Sequence, residues 1–96
     1  MDNQRLRNLT TVKLHTKIED IYEDLERISG IRGIYSHMLP RVRQAVKPWL
    51  MKHVKDYRFF NNEYDPGHVG SYDLPEPTRQ ERAEIMKKYK KACLSV

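Results

Sequence analysis

The sequence predicts an all-α fold, a small single domain of three main helices with a long aromatic, acidic loop before the last helix. Three observations support this prediction. Two segments begin with a helix-capping pattern, apolar residues recur at helical spacing in three segments, and proline and glycine signals separate the last two. We therefore expect helices over residues 17–29, 37–57 and 79–93 of the 96-residue chain.

The first predicted helix has a start signal, a period and a stop signal. Thr16 and Glu19 form a capping box, in which each side chain can accept from the other residue's backbone N–H. The apolar residues that follow share one face: Ile18, Ile21, Tyr22, Leu25 and Ile28. Gly30 comes next, where a left-handed helix end favours glycine.

The second predicted helix contains two prolines with different consequences. Pro40 falls in the first turn, where its missing N–H costs little. The apolar face continues through Pro48, so we expect either one kinked helix or two abutting helices. The residues of this face are Val42, Ala45, Val46, Trp49, Leu50, His53 and Tyr57. We expect the first helix to pack on this face, with Trp49 in the core.

The remaining segments complete one domain over residues 1–96. Residues 1–15 include the β-branched run 10–12 and are predicted to form an extended lead-in to a helical pair at 16–57. Residues 58–77 carry many turn signals and are predicted to form the loop. The C-terminal helix is expected within 78–96, and it begins with a second capping box, Thr78 to Glu81.

Bulk composition excludes several classes of protein. No apolar run approaches the roughly 18 residues that a membrane span needs, so we expect no membrane association. The single cysteine, Cys93, excludes an internal disulfide framework and fits a reducing cytoplasm. A mean hydropathy of -0.82 leaves a modest core, so self-association into a homo-oligomer is an open alternative.

The chain offers few residues for catalysis or metal binding. None of the four histidines has a partner at the i, i+4 spacing of a helical metal site, and glycine motifs for phosphate are absent. Asp65, His68, Ser71 and Asp73 are residue types that a hydrolase uses, but they lack a nucleophile elbow. His53 is interpreted as a core histidine with a satisfied ring nitrogen. We expect no enzyme activity, no cofactor and no metal.

The distribution of the +5 net charge carries more information than its total. Acidic residues exceed basic ones over 17–30 and 59–77, and the reverse holds over 38–58 and the C-terminal segment. This alternation favours elements that lie against one another within the fold. On the second helix, a basic face is expected opposite the apolar stripe: Arg43, Lys47, Lys55 and Arg58. A second exposed cluster is predicted near the C-terminus: Lys87, Lys90 and Lys91.

Residues 9–53 contain a series of short motifs that resemble one family. They are Leu9-Thr10-Thr11, Leu14, Ile18, Tyr22-x-x-Leu25, Ile28-Ser29-Gly30, Tyr35-Ser36-His37-Met38-Leu39-Pro40-Arg41, Lys47-Pro48-Trp49-Leu50 and His53. Through these motifs the chain resembles a family of small uncharacterised proteins of tailed bacteriophages. The resemblance covers about half of the chain. The resemblance implies a phage origin and action in the host cytoplasm, and it implies no catalytic residues.

We therefore expect a non-enzymatic phage accessory protein that binds and modulates or inhibits a host protein, with a defence complex as one such target. The expected contact residues are aromatic or basic, types that contribute strongly at interfaces: Arg43, Lys47, Lys55, Arg58, Phe59, Phe60, Tyr64 and Tyr72. The alternative is a small basic regulator that binds nucleic acid through phosphate contacts: Arg43, Lys47, Lys87, Lys90 and Lys91. An ordinary solvated face is the third explanation of the same charges.

Overall fold

The computed structural model describes residues 1–11, 13–54, 57 and 71–94. This part of the chain is helical, and the all-α prediction is confirmed for it. Its four helices are α1 (Asn3–Thr10), α2 (Ile18–Ser29), α3 (Leu39–His53) and α4 (Arg79–Leu94). Pairing of extended backbone among the described residues is limited to one isolated bridge between Asp2 and Ser71. Within the same residues, no helix is long and apolar enough to cross a membrane.

Helix α1 occupies the segment for which an extended lead-in was predicted, so that prediction and the three-helix count were wrong. The Asp2 carboxylate caps α1 by accepting from two backbone N–H groups of its first turn, at 2.8 and 3.2 Å. Leu6 and Leu9, one helical turn apart, are both buried. The cap and this buried pair outweigh the extended preference of the β-branched residues at its end.

Helix α2 ends as predicted but begins differently. Gly30 follows the helix with φ of 76°, in the left-handed conformation that glycine adopts at low cost. The capping box at Thr16 does not form, because the N-cap residue is Lys17 and no side chain caps the helix. The Thr16 hydroxyl accepts instead from the side-chain amide of Asn8, at 2.6 Å. A contact with α1 has replaced the local cap.

Helix α3 passes through Pro48 without a break between Leu39 and His53, which excludes two abutting helices there. Pro40 lies in its first turn, as predicted. The helix is shorter than the predicted 37–57, because Val54 has extended backbone and closes it through an N–H donated to the Leu50 carbonyl.

Helix α4 begins with the predicted capping box. The Thr78 N–H donates to Glu81 Oε1 at 2.9 Å, and the Glu81 N–H donates to Thr78 Oγ1 at 3.1 Å. Ile85 is its one fully buried side chain among the described residues. The other apolar residues predicted for this helix, Met86, Tyr89, Ala92 and Cys93, are half-buried.

The core takes buried side chains from all four helices, and most of them belong to α2 and α3. It consists of Leu6, Leu9, Ile21, Leu25, Ile28, Ile31, Ile34, Val42, Ala45, Val46, Trp49, Leu50, Val54 and Ile85. The predicted packing of α2 on α3 is confirmed, and Trp49 is 6% exposed. Ile18, which the periodicity assigned to the same stripe, is 37% exposed and lies outside the core.

Candidate functional site

A groove of about 910 Å³ lies where the end of α1, the start of α2 and the first half of α3 meet. We call it the α1–α3 groove. Its apolar wall consists of Leu9, Leu14, Ile18, Ile21, Leu39 and Pro40. Each of these three helices contributes at least one of these residues, and Leu14 comes from the connection between α1 and α2. The groove is therefore a product of tertiary packing and not of one element.

Two large apolar side chains of this wall face solvent. Leu14 is 54% exposed and Ile18 is 37% exposed. Single exposed apolar residues are common on protein surfaces, but several that share one concavity indicate a binding surface. The two residues belong to a wall whose other members are buried or half-buried, apart from Pro40. The groove therefore offers apolar contact area that the described fold leaves unused.

Basic side chains lie beside this apolar wall. Lys13, Arg43 and Lys47 line the groove, and no described lining residue is acidic. Lys47 is exposed, so its ammonium group is accessible to a ligand. The groove thus combines an apolar wall with a positive margin, an arrangement suited to a partner that is apolar on one side and negatively charged on the other.

Arg43 is not on an exposed face, and its predicted position was wrong. It is half-buried, and its guanidinium donates to the Asn8 carbonyl at 2.6 Å and to the Thr11 carbonyl at 2.7 Å. Burial lowers the pKa of Arg43 below its ordinary value. These acceptors lie at the C-terminal end of α1, where helix carbonyls lack partners and attract positive charge. Arg43 therefore holds the wall of the groove together.

The other predicted contact residues divide into four groups. Lys47 lies at the margin of the groove, whereas Tyr72 is half-buried, with its hydroxyl 3.5 Å from the His53 carbonyl. The three C-terminal lysines are exposed on α4 and do not line the groove: Lys87, Lys90 and Lys91. Five predicted residues lie outside the described part of the chain: Lys55, Arg58, Phe59, Phe60 and Tyr64.

His53 has the satisfied ring nitrogen that was predicted, although the residue is half-buried. Its Nε2 lies 2.7 Å from Glu81 Oε2, and its ring centroid lies 4.8 Å from that of Trp49. Hydrogen bonds from the Thr78 backbone and from His53 lower the pKa of Glu81 from 4.5 to about 2. The His53–Glu81 hydrogen bond connects α3 to the capping box of α4, so its role is structural.

No cluster of three or more residues that could hold a metal ion occurs among the residues that the structure describes. Of the hydrolase-type residues in the sequence, Asp65 and His68 lie outside those residues. Ser71 is exposed and forms the isolated bridge with Asp2.

The sequence signal for the groove was weak. Leu14 stood among polar residues without a period, and Ile18 was counted as a member of the core stripe. Lys13 precedes Leu14 and is not distinctive, because one lysine in a polar segment is ordinary. An apolar residue that fits no helical face, between two helices, is the feature that could have indicated the site.

Comparison with known proteins identifies a matching family. The family model described as Domain of unknown function (DUF7736) matches residues 1–59. No curated protein and no solved structure matches the chain. The matched region contains α1, α2 and α3, and with them all the described residues that line the α1–α3 groove, whereas α4 lies beyond it.

Proposed function

This chain belongs to the family described as a domain of unknown function, DUF7736, and we propose that it is a non-enzymatic protein that binds a host protein and modulates or inhibits it. The observation that carries the proposal is the α1–α3 groove, in which exposed Leu14 and Ile18 lie beside Lys47. Burying such side chains against a partner removes apolar area from water, the main favourable contribution to most protein association.

The phage part of the proposal rests on the sequence motifs and not on the groove. A phage accessory protein acts in the host cytoplasm and meets host complexes there, including those that defend the cell. The groove supports such a role, because it is a preformed surface to which a host protein can bind. Preformed surfaces bind at lower entropic cost than segments that must fold first.

Affinity capture from phage-infected cells tests this proposal. The tag belongs at the C-terminus, because the Met1 amino group donates to the Tyr72 carbonyl at 2.8 Å. Leu14→Gln removes an apolar contact from the groove, and Met51→Gln is its matched control, since the two side chains are 54% and 55% exposed. Met51 lies on α3 and does not line the groove.

We expect one or more identified host proteins to be retained by the wild-type chain and by Met51→Gln. Leu14→Gln should retain about tenfold less, the loss expected when about 1.4 kcal/mol of contact energy disappears. Circular dichroism of each variant checks that the fold is intact. If no host protein is recovered reproducibly, or if both variants retain it equally, the proposal fails.

The second candidate function is nucleic-acid binding, and one observation favours it. Helix α4 exposes four lysines within five residues: Lys87, Lys88, Lys90 and Lys91. Such a group can neutralise several phosphates without reading base sequence. Its position on α4 separates it from the groove, so single substitutions can test the two functions independently.

A further inference from the structure

We propose that the segment that occupies the α1–α3 groove is an acidic amphipathic helix of the partner protein. The inference rests on the proposed function and adds the chemistry of the partner to it. Three properties of the groove lead to it: the sign of its charges, the state of the backbone groups around it, and its volume.

The charges at the groove select an acidic partner. Lys13, Arg43 and Lys47 line it without a described carboxylate, so the local potential is positive. A second hollow beside α2 differs from it, because three glutamates and three arginines line that hollow together: Glu19, Glu23, Glu26, Arg27, Arg32 and Arg82. A ligand with carboxylates is therefore drawn to the α1–α3 groove, and a basic ligand is repelled from it.

The backbone around the groove favours a helix over an extended segment. An added strand needs free N–H and C=O groups along an edge. At the end of α1, the Asn8 and Thr11 carbonyls already accept from Arg43, and the Thr11 N–H donates to the Arg7 carbonyl at 3.0 Å. A helix satisfies its own backbone groups and offers apolar side chains at i, i+3, i+4 and i+7.

The volume of the groove fits several side chains from one helix face. At about 910 Å³ it lies near the upper end of the roughly 300–1,000 Å³ typical of ligand pockets. Its walls come from three helices, so an inserted apolar face meets Leu9 of α1, Ile18 of α2 and Leu39 of α3 at once. Carboxylates on the flank of the inserted helix then lie near Lys47 at the margin.

Binding of designed peptides to the full chain tests the inference. The first is a fluorescein-labelled peptide of about 15 residues, with leucines on one helical face and glutamates on the other. The second has the same composition with its leucines dispersed, and the third has lysines in place of the glutamates. Fluorescence anisotropy gives the Kd of each, and circular dichroism reports helix formed on binding.

We expect the Kd of the acidic amphipathic peptide to be at least about tenfold lower than that of either control peptide. Leu14→Gln and Lys47→Glu should each weaken it by about fivefold or more, since one removes apolar area and the other reverses a charge. Met51→Gln matches Leu14→Gln in exposure, and Lys87→Glu matches Lys47→Glu in charge change. Neither residue lines the groove, so both control variants should change the Kd by less than about twofold.

Several outcomes overturn the inference. They are equal binding of the dispersed peptide, tighter binding of the lysine peptide, or binding that Leu14→Gln and Lys47→Glu leave unchanged. Self-association of the chain that Leu14→Gln abolishes would assign the groove to a second copy. If the peptides fail while host-protein capture still depends on Leu14, the acidic helix is wrong and the proposed function stands. If capture fails as well, both are wrong.

Discussion

Arg43 joins α3 to the end of α1 through two hydrogen bonds from one guanidinium group, at 2.6 and 2.7 Å. A guanidinium suits this task, because its planar fork directs donors at two acceptors simultaneously. The two carbonyls that accept from it belong to Asn8 and Thr11, at the end of α1 and shortly before Lys13 and Leu14 of the groove. The residue is therefore part of the scaffold of the groove.

Replacing Arg43 with Met should lower the free energy of unfolding by about 2–3 kcal/mol, because two carbonyls lose a charged donor. Arg43→Lys should recover only part of this loss, since an ammonium group cannot reproduce the fork. Urea unfolding measures both values. Lys47→Met on the same helix is the control and should change stability by less than about 0.5 kcal/mol. Equal losses at the two positions would contradict this role for Arg43.

The sequence could not have revealed the contacts of Arg43. Winding α3 at helical spacing does place Arg43 outside the stripe formed by Val42, Val46 and Trp49. Periodicity within one helix does not say whether another element covers the remaining face, and here α1 covers part of it. The acceptors lie 35 and 32 residues earlier in the chain, which local patterns do not reach. Lys47, one turn later, is exposed as expected.

At the scale of the helices, the predictions succeeded where the signals were local. The second capping box, the glycine that ends α2 and the proline in the first turn of α3 all involve residues within one or two turns. The cap predicted at Thr16 failed because Asn8, which is fully buried, uses the same hydroxyl. A buried amide must find partners, and this requirement overrides a surface cap of similar energy.

Helix α1 is attached to α2 by an ion pair, and this contact leads to a prediction. Arg5 binds Asp24 through two hydrogen bonds of 2.9 Å, and the side chain of Asp24 is 5% exposed. Burial raises the pKa of Asp24 above its ordinary value, against the opposing effect of Arg5. Arg5→Met should therefore cost about 2–3 kcal/mol, because it leaves a buried carboxylate without its main partner.

The double variant Arg5→Met with Asp24→Leu is the control for this prediction. Replacing both members of a buried pair by apolar residues is often close to neutral, so it should recover most of the lost stability. Thermal or urea unfolding of the two single variants and the double variant gives the coupling energy. A double variant no more stable than Arg5→Met would indicate that the unpaired Asp24 carboxylate is not the source of the lost stability.

Glu81 makes the junction of α3 and α4 sensitive to acid. Its folded pKa of about 2 is below the ordinary 4.5, so its contribution to stability is complete above pH 4.5 and disappears as the pH falls towards 2. Glu81→Gln can still cap the helix but cannot titrate. We expect its free energy of unfolding to fall less than that of the wild type between about pH 5 and pH 3.

Urea unfolding at several pH values measures this difference, with Glu84→Gln as the control. Glu84 is exposed on the same helix, so its replacement should leave the pH dependence of the wild type unchanged. Parallel pH curves for the wild type and Glu81→Gln would show that the bonds from Thr78 and His53 do not stabilise the ionised carboxylate in solution.

At the scale of the whole molecule, the alternating charges of the sequence are partly paired inside the fold. Arg5 of α1 meets the acidic side of α2, and Glu76 bridges Arg27 of α2 and Arg82 of α4. This pairing agrees with the complementarity expected from the charge blocks. Lys47 at the groove and Lys87, Lys88 and Lys90 on α4 are exposed, so the two proposed binding functions share Lys47 and differ in their use of the α4 lysines.

The nucleic-acid alternative predicts how strongly affinity depends on salt, and the ion pairs and hydrogen bonds of the fold set an upper limit to this dependence. Because Arg43 binds carbonyls of α1, the remaining candidates for phosphate contact are Lys47, Lys87, Lys90 and Lys91. Four contacts give a log–log dependence of affinity on salt with a slope of about -3.6. The acidic side chains of α2 lie on the same small protein and repel phosphates, so they should reduce the number of phosphates that the lysines neutralise. We expect weak binding without sequence preference and with a shallower slope than this limit.

Titration of labelled duplex and single-stranded oligonucleotides at about 50 and 200 mM salt measures both quantities. We expect a Kd weaker than about 10 µM at the higher salt, close to ordinary non-specific binding. Lys87→Glu with Lys90→Glu should abolish this residual affinity and leave capture of the host protein unchanged, since α4 does not line the groove. A Kd below about 1 µM at the higher salt, with a slope near -3.6 and loss on Lys47→Glu, would replace the protein partner with nucleic acid.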